Sequence, residues 1–144
     1  QCAHGLYIDW RNTEPELYVG EQRGGRVQVY DLDGAFKRTL GKGFLNSSSD
    51  FVAVGDNLIV LELQSRLTVL DINDNFVCYL GDNEAAPAID GWPNMRNEDN
   101  QIVPNPLLQR GKFHSPHGIA ADKDGNLYIT EWLIGGRFTK LVKN

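Results

Sequence analysis

The sequence predicts an all-β fold built from three repeats of about 40 residues, each a small sheet of antiparallel strands. The segment Asp31–Phe36 returns as Asp71–Phe76, 40 residues on, and Leu40-Gly41 returns as Leu80-Gly81 at the same spacing. A third copy enters after residue 113. Its first strand matches the one that opens at His4. Self-similarity at a fixed period of this length is typical of repeat architectures.

The strands within each repeat are short, rich in β-branched and aromatic residues, and bounded by turn residues. The first repeat predicts strands near residues 4–9, 16–22, 25–31 and 35–40. The second predicts strands near 50–54, 57–63, 66–71 and 75–80. The third predicts only 117–121, 126–132 and 136–142, so it lacks an outer strand. Asp33-Gly34 and Asp124-Gly125 supply residues that tolerate positive φ in tight hairpins.

Four antiparallel strands in about 40 residues is the pattern of a β-propeller blade. We therefore predict a single unit over residues 1–144, with blade one at 4–41 and blade two at 50–81. An inserted loop at 82–113 precedes blade three at 114–144. That insertion either covers one mouth of a ring or packs on the surface around its own Trp92 and Leu107.

The third copy resembles the NHL repeat. The resemblance rests on Pro116–Glu131 (PHGIAADKDGNLYITE) followed by Gly136–Leu141 (GRFTKL), and the other two copies are similar but degenerate. It implies a six-bladed β-propeller, of which three blades are half a ring. A half-ring would leave two large apolar faces in water, and such faces on a protein mark interfaces. We expect a two-fold dimer that completes the ring; a longer chain with its missing half, or a half-ring held open by residues 82–113, remain alternatives.

Three side chains open the innermost predicted strands and form the candidate site: His4, Asp50 and His117. Strand ends of different blades converge on the channel, and two imidazoles with a carboxylate suit a divalent metal such as zinc, iron or calcium. The alternative is a set of polar channel residues that cap the backbone or hold water. His114, three residues before His117, is expected to be a solvated loop histidine; the alternative is that it reaches the same mouth of the ring.

Peptidyl-hydroxyglycine lyases are similar propellers that hold a channel metal with histidines from blade-starting motifs. His4 and His117, each followed by glycine, match that pattern, whereas Asp50 does not. The rest of the lyase site has no counterpart here, so the resemblance implies no activity.

A second recurring set pairs a glutamate with an arginine four to six residues later, across the turn between the second and third strands of each repeat. The pairs are Glu21 with Arg26, Glu62 with Arg66, and Glu131 with Arg137. Antiparallel geometry brings the two side chains together. Because the set recurs in every repeat, we interpret it as structural hairpin ion pairs rather than as catalytic residues.

Several classes of function are disfavoured by composition. The net charge of −5 comes without a basic cluster, so neither nucleic acid nor an anionic membrane surface is an expected partner. No apolar run reaches membrane-spanning length, and the chain opens at Gln1 without a signal-peptide pattern, so we expect a soluble chain of undetermined compartment. Cys2 and Cys78 fall on opposite sides of the repeat and are not expected to pair.

These observations predict a binding or interaction module that presents its loops and channel to a peptide or small molecule and associates with a second copy. The alternative is a metal-dependent lyase or hydrolase with a divalent metal in the channel. A third interpretation is a purely structural half-propeller that only self-assembles.

Overall fold

Residues 2–144 are described by a computed structural model, in which they form four antiparallel sheets. The first sheet contains β1 (Ala3–Asp9), β2 (Glu16–Glu21), β3 (Arg26–Tyr30) and β4 (Phe36–Leu40) in that order. The second contains β5 (Ser48–Val54), β6 (Asn57–Glu62), β7 (Arg66–Leu70) and β8 (Phe76–Leu80). A short hairpin pairs β9 (Met95–Arg96) with β10 (Ile102–Val103). The third large sheet contains β11 (Pro116–Ala121), β12 (Leu127–Glu131) and β13 (Arg137–Leu141).

The all-β prediction is confirmed, since the described residues contain no α-helix and only one 3₁₀ turn, Ala86–Ala88. The strand boundaries fall within two residues of those expected from the repeat. The third large sheet has three strands where the first two have four. This agreement follows from the local turn chemistry. For example, the Asp122 carboxylate accepts hydrogen bonds from the backbone N–H groups of Asp124 and Asn126, which closes the β11–β12 turn.

Two apolar layers hold the three large sheets together, and the second sheet contributes one face to each layer. The layer between the first and second sheets buries Tyr18, Val27 and Val29 against Phe51, Leu58 and Val60. The layer between the second and third buries Ile59, Leu61 and Leu67 against Leu127 and Ile129. Period-two alternation along β6 sends Leu58 and Val60 to one layer and Ile59 and Leu61 to the other. The second sheet is therefore the covered middle of a three-sheet stack.

The first strands of the three sheets, β1, β5 and β11, lie side by side. Gly5 is required at the β1–β5 contact, because a Cβ there would overlap the carbonyl oxygen of Ser49. Gly118 is at the equivalent position of β11 but has more room: a Cβ there would meet the Thr130 hydroxyl of its own sheet at 2.9 Å. The close backbone approach at Gly5 is therefore a feature of the β1–β5 contact.

The segment 82–113 is folded onto the stack. Its two ends meet, because the N–H of Phe113 donates to the carbonyl oxygen of Gly81 (2.8 Å), and Phe113 fills the layer between the second and third sheets. The indole N–H of Trp92 donates to the carbonyl oxygen of His114 (2.9 Å). Leu107, which one sequence interpretation packed beside Trp92, is instead 53% exposed.

Two further observations bear on the sequence expectations. Among residues 2–144, no helix is long and apolar enough to cross a membrane. Within the same range Cys2 and Cys78 are both free thiols.

Candidate functional site

The strand register separates the three residues that the sequence places at equivalent positions. Each innermost strand has one residue that pairs with the recurring glutamate of the second strand, and these residues are Ala3, Ser48 and Pro116. The strand register shifts by one residue directly after each of them. In this register His4 and His117 are equivalent to Ser49. Asp50 is equivalent to Gly118, one residue further along its strand. The expected equivalence of Asp50 with the two histidines is therefore wrong by one residue. The turn between the first and second strands differs in length between the repeats (10–15, 55–56 and 122–126), so the position cannot be found by counting along the chain.

His4 and His117 nevertheless come together, although they belong to the first and third sheets. Their ring centroids are 5.1 Å apart, with planes inclined by 77° in an edge-to-face arrangement. The Trp132 ring lies 6.4 Å from His117 and is 59% exposed. The two imidazoles and the indole form a half-open aromatic cluster at one end of the innermost strands.

The tautomer of His4 follows from its hydrogen bond. Its Nδ1 lies 3.0 Å from the carbonyl oxygen of Ser49, and because a carbonyl only accepts, Nδ1 must donate. In the neutral ring this leaves the lone pair on Nε2, on the side away from the bond. A backbone carbonyl holding one ring nitrogen is the arrangement that commonly orients a metal-binding or ligand-binding imidazole.

Asp50 is not part of this cluster. One carboxylate oxygen accepts the N–H of Phe51 (2.9 Å), and the other accepts the N–H of Ile119 on the neighbouring sheet (3.0 Å). The carboxylate thus fixes the relative position of β5 and β11. Among residues 2–144, no three His, Cys, Asp or Glu side chains converge as a group that could hold a metal ion. The arrangement in one chain therefore offers two imidazoles, without the third side-chain ligand that the sequence assigned to Asp50.

The structure joins each recurring glutamate to its arginine. Arg26 binds Glu21 through two nitrogens, at 2.8 and 3.2 Å. The Arg66 Nε donates to Glu62 at 2.9 Å, and the Arg137 Nε also donates to Glu131. A second role, which the spacing does not suggest, is visible in the later two repeats.

In those repeats the glutamate also holds the chain that enters the innermost strand. Glu131 accepts the N–H groups of His114 (2.6 Å) and Ser115 (3.1 Å). Glu62 accepts the N–H groups of Asn46 and Ser47 in the same way, and it is fully buried. One carboxylate thereby satisfies backbone donors and a guanidinium together, which removes the cost of burying each of them alone.

His114 differs from the sequence expectation of a solvated loop residue, because it is only 1% exposed. Its Nε2 lies 2.8 Å from the Asn105 amide nitrogen, and the Asn105 amide oxygen is occupied by the N–H of Leu107. The amide nitrogen therefore donates, and His114 Nε2 must be the unprotonated nitrogen. Burial lowers the pKa of His114 below its usual value, partly opposed by the charge of Glu131. This histidine is a structural anchor for the segment 82–113.

A charged network between the first and second sheets was not anticipated from the sequence. The Arg11 guanidinium binds Asp9 (2.8 Å) and Asp74 (2.9 Å), and the Tyr18 hydroxyl donates to Asp74 at 2.9 Å. Arg38 binds Asp74 and Glu16. The hydrogen bond from Arg38, with help from Lys37, lowers the pKa of Glu16 to about 2. Each charged side chain named here is paired with one of opposite charge. The network therefore stabilises the contact between the first and second sheets rather than offering an unpaired charge to a ligand.

No protein-family model matches the chain, and no curated protein matches it significantly.

Proposed function

We propose that this chain is an interaction module of the NHL-type β-propeller class, three blades that associate with a second copy to complete a six-bladed ring. The observation that carries the proposal is the equivalence of the sheet faces. Each repeat has two sheet faces, and in both apolar layers the same one of these faces packs against the opposite face of the next repeat. The uncovered face of the first sheet and the uncovered face of the third sheet are therefore of the two types that pack together inside the chain.

The leftover face of the first sheet supports this interpretation most strongly. Leu6 and Val19 lie on it, and their register equivalents Phe51 and Val60 are buried in the first apolar layer. Leu6 is 66% exposed and its neighbour Ile8 is 44% exposed. Apolar side chains at positions that are buried elsewhere in the same chain indicate a face that a partner covers.

The leftover face of the third sheet is apolar but carries polar substitutions. Phe138 is 78% exposed and Tyr128 is 39% exposed. Thr130 and Lys140 stand where the second sheet has Leu61 and Val69. A second copy turned by a two-fold axis would place each third-sheet face on the partner's first-sheet face, so that both faces are covered at once.

The ligand of such a module would meet the aromatic cluster at the end of the innermost strands. His4, His117 and Trp132 offer ring faces together with imidazole nitrogens. Such a surface suits a peptide or a small molecule with planar or polar groups.

Sedimentation velocity at micromolar concentration tests the assembly. The unmodified chain is expected to sediment as a dimer, and Leu6→Asp as a monomer, because a carboxylate would be desolvated in the interface. Val77→Asp is the matched control, since Val77 is 53% exposed on the outer strand of the middle sheet, away from both end faces. A monomeric unmodified chain, or equal effects of the two variants, would overturn the proposal.

A metal-dependent lyase or hydrolase is the second candidate, and the His4–His117 pair is the observation that favours it. A metal held by these two imidazoles would need further ligands from a second copy or from water, and would polarise a carbonyl or activate a water. Metal analysis of the purified chain tests this candidate. Stoichiometric zinc or iron is expected, and its loss from a folded His4→Ala/His117→Ala variant would support the assignment. A metal-free chain after growth and dialysis with added zinc or iron would contradict it.

A further inference from the structure

The inserted segment 82–113 is joined at two points in its middle to His114, which lies just outside it. The Trp92 indole donates to the carbonyl oxygen of His114, and the Asn105 amide nitrogen donates to its Nε2. Asn105 is 6% exposed and His114 is 1% exposed, so the bond between their side chains is shielded from water. Both attachments of the segment therefore depend on one residue that can take up a proton.

Uptake of a proton is incompatible with the bond between His114 and Asn105. In the neutral ring Nε2 accepts from the amide nitrogen, whereas in the cation both ring nitrogens carry a proton and can only donate. The amide cannot compensate by turning over, because its oxygen accepts the N–H of Leu107 at 2.8 Å. Turning would place the amide nitrogen against that N–H. One hydrogen bond of Asn105 is therefore lost on protonation, whichever way the amide is oriented.

The neutral form of His114 already carries one unpaired donor. A neutral imidazole that accepts at Nε2 has its proton on Nδ1. Among residues 2–144, the buried Nδ1 of His114 has no hydrogen-bond partner. An unpaired buried donor costs free energy. The attachment of the segment is therefore less stable than its two hydrogen bonds alone would make it.

The groups around His114 determine how readily it takes up a proton. Burial disfavours the cation, whereas the charge of Glu131 on β12 and the carbonyl oxygen of Pro93 favour it, and Arg137 on β13 disfavours it. From the β6–β7 turn, the uncharged Ser65 hydroxyl donates to the carbonyl oxygen of His114. Burial prevails, so the pKa of His114 lies below its ordinary value while the segment is attached. A released imidazole binds the proton more tightly, so acid favours release.

The same segment also holds the turn beside the aromatic cluster. The Asn94 amide oxygen accepts the N–H of Ile134 at 2.8 Å, and Ile134 lies two residues after Trp132 of the cluster. Asn94 in turn lies two residues after Trp92. Release of Trp92 from His114 would therefore also free the turn that follows Trp132.

We propose that His114 is a proton-operated latch: its protonation releases the middle of segment 82–113 and frees the turn beside Trp132. The sheets stay packed in the released form, because the residue that the segment contributes to the apolar layers is Phe113, at the end bonded to Gly81. All of these contacts lie within one chain. The latch therefore depends neither on the dimer nor on a ligand of the aromatic cluster.

Hydrogen exchange followed by NMR at pH 7.5 and 5.5 tests the latch, with protection factors correcting for the chemical rate at each pH. The Trp92 indole N–H reports on the attachment, the Ile134 amide on the turn, and the Val60 amide on global unfolding. Acidification should lower the protection of Trp92 and Ile134 by about tenfold, because released His114 regains its ordinary pKa of about 6.5. Urea below the unfolding midpoint should accelerate exchange at Val60 and leave the other two unchanged, since release exposes little surface.

Two variants separate proton uptake from simple loosening of the segment. His114→Gln can accept the Asn105 amide at both pH values and binds no proton, so its protection factors should not change with pH. Asn105→Asp supplies a carboxylate that accepts from the histidine cation, so acid should no longer release the segment. His117→Gln is the matched control and should respond to acid as the unmodified chain does. The proposal is overturned if acid leaves Trp92 and Ile134 equally protected in the unmodified chain, if their exchange follows urea as Val60 does, or if Asn105→Asp is still released by acid.

Discussion

Each of the three recurring glutamates pairs with the arginine of its own repeat, but their further partners differ. This difference predicts different losses of stability when each glutamate is replaced. Glu62 is fully buried and binds Arg66, Thr68 and two backbone N–H groups. Glu131 binds Arg137 and two backbone N–H groups. Among residues 2–144, Glu21 accepts hydrogen bonds from the side chains of Arg26 and Gln28, and the Arg26 side chain is 35% exposed.

Replacement by glutamine keeps the shape but turns one accepting oxygen into a donor. At Glu62 and Glu131 the new N–H group must then face another buried donor, whichever way the amide is turned. A lost charge-assisted hydrogen bond with a buried unsatisfied donor costs about 3 kcal/mol. At Glu21, water can reach the arginine, so the cost of Glu21→Gln is expected to be about 1 kcal/mol.

Urea unfolding followed by circular dichroism measures these costs. With an m-value of about 2 kcal/mol/M, the midpoint should fall by about 1.5 M for Glu62→Gln and Glu131→Gln and by about 0.5 M for Glu21→Gln. Glu14→Gln, at an exposed glutamate, is the control and should leave the midpoint unchanged. Equal shifts for the three variants would refute the argument, because the arginine pairing alone would then account for the glutamates.

Three further predictions concern packing and pH. Gly5→Ala should lower the free energy of unfolding by about 2 kcal/mol, since the new Cβ overlaps a backbone carbonyl. Gly118→Ala should lower it by less than about 1 kcal/mol, because the side-chain hydroxyl that the new Cβ meets can move. Thermal unfolding of the two variants measures the difference. Because the pKa of Glu16 is lowered to about 2, the stability that its ion pairs contribute is fully present above its ordinary pKa and is lost as the pH falls through about 2. Glu16→Gln should therefore reduce the loss of unfolding free energy between neutral and acid pH by about 1 kcal/mol. An unchanged loss would contradict the assignment. Because the pKa of His114 is lowered, the unfolded chain binds the proton more tightly, so stability should fall as the pH drops below about 6.5. This fall should disappear in His114→Gln and persist in His117→Gln, as measured by urea midpoints at pH 7.5 and 5.5.

The features that the sequence predicts well are local ones. Strand positions follow from alternation and turn residues, and the short spacing from Glu62 to Arg66 is enough to place both side chains on one hairpin. The Asp122 turn follows in the same way from neighbouring residues. Such features depend on backbone geometry within a few residues, which the residue types largely determine.

The features that the sequence misses depend on long-range contacts or on the strand register across turns of unequal length. Aligning Asp50 with His4 fails because the turns that follow the innermost strands differ in length between the repeats, so residue spacing alone does not fix the register. The Arg11–Asp74 pair joins residues 63 positions apart, and the burial of His114 depends on Asn105 from the inserted segment. The exposed apolar residues of the first sheet, by contrast, could be expected once the repeat was in register, since Leu6 matches Phe51.

The His4–His117 contact bridges the two outer sheets and passes over the middle one. A molecule bound between the two imidazoles would therefore favour one angle between those sheets over others. In the proposed dimer, the same angle would set how the two uncovered faces meet the second copy. Occupancy of the cluster and closure of the assembly would then be linked equilibria, and each would change the affinity of the other by the same factor.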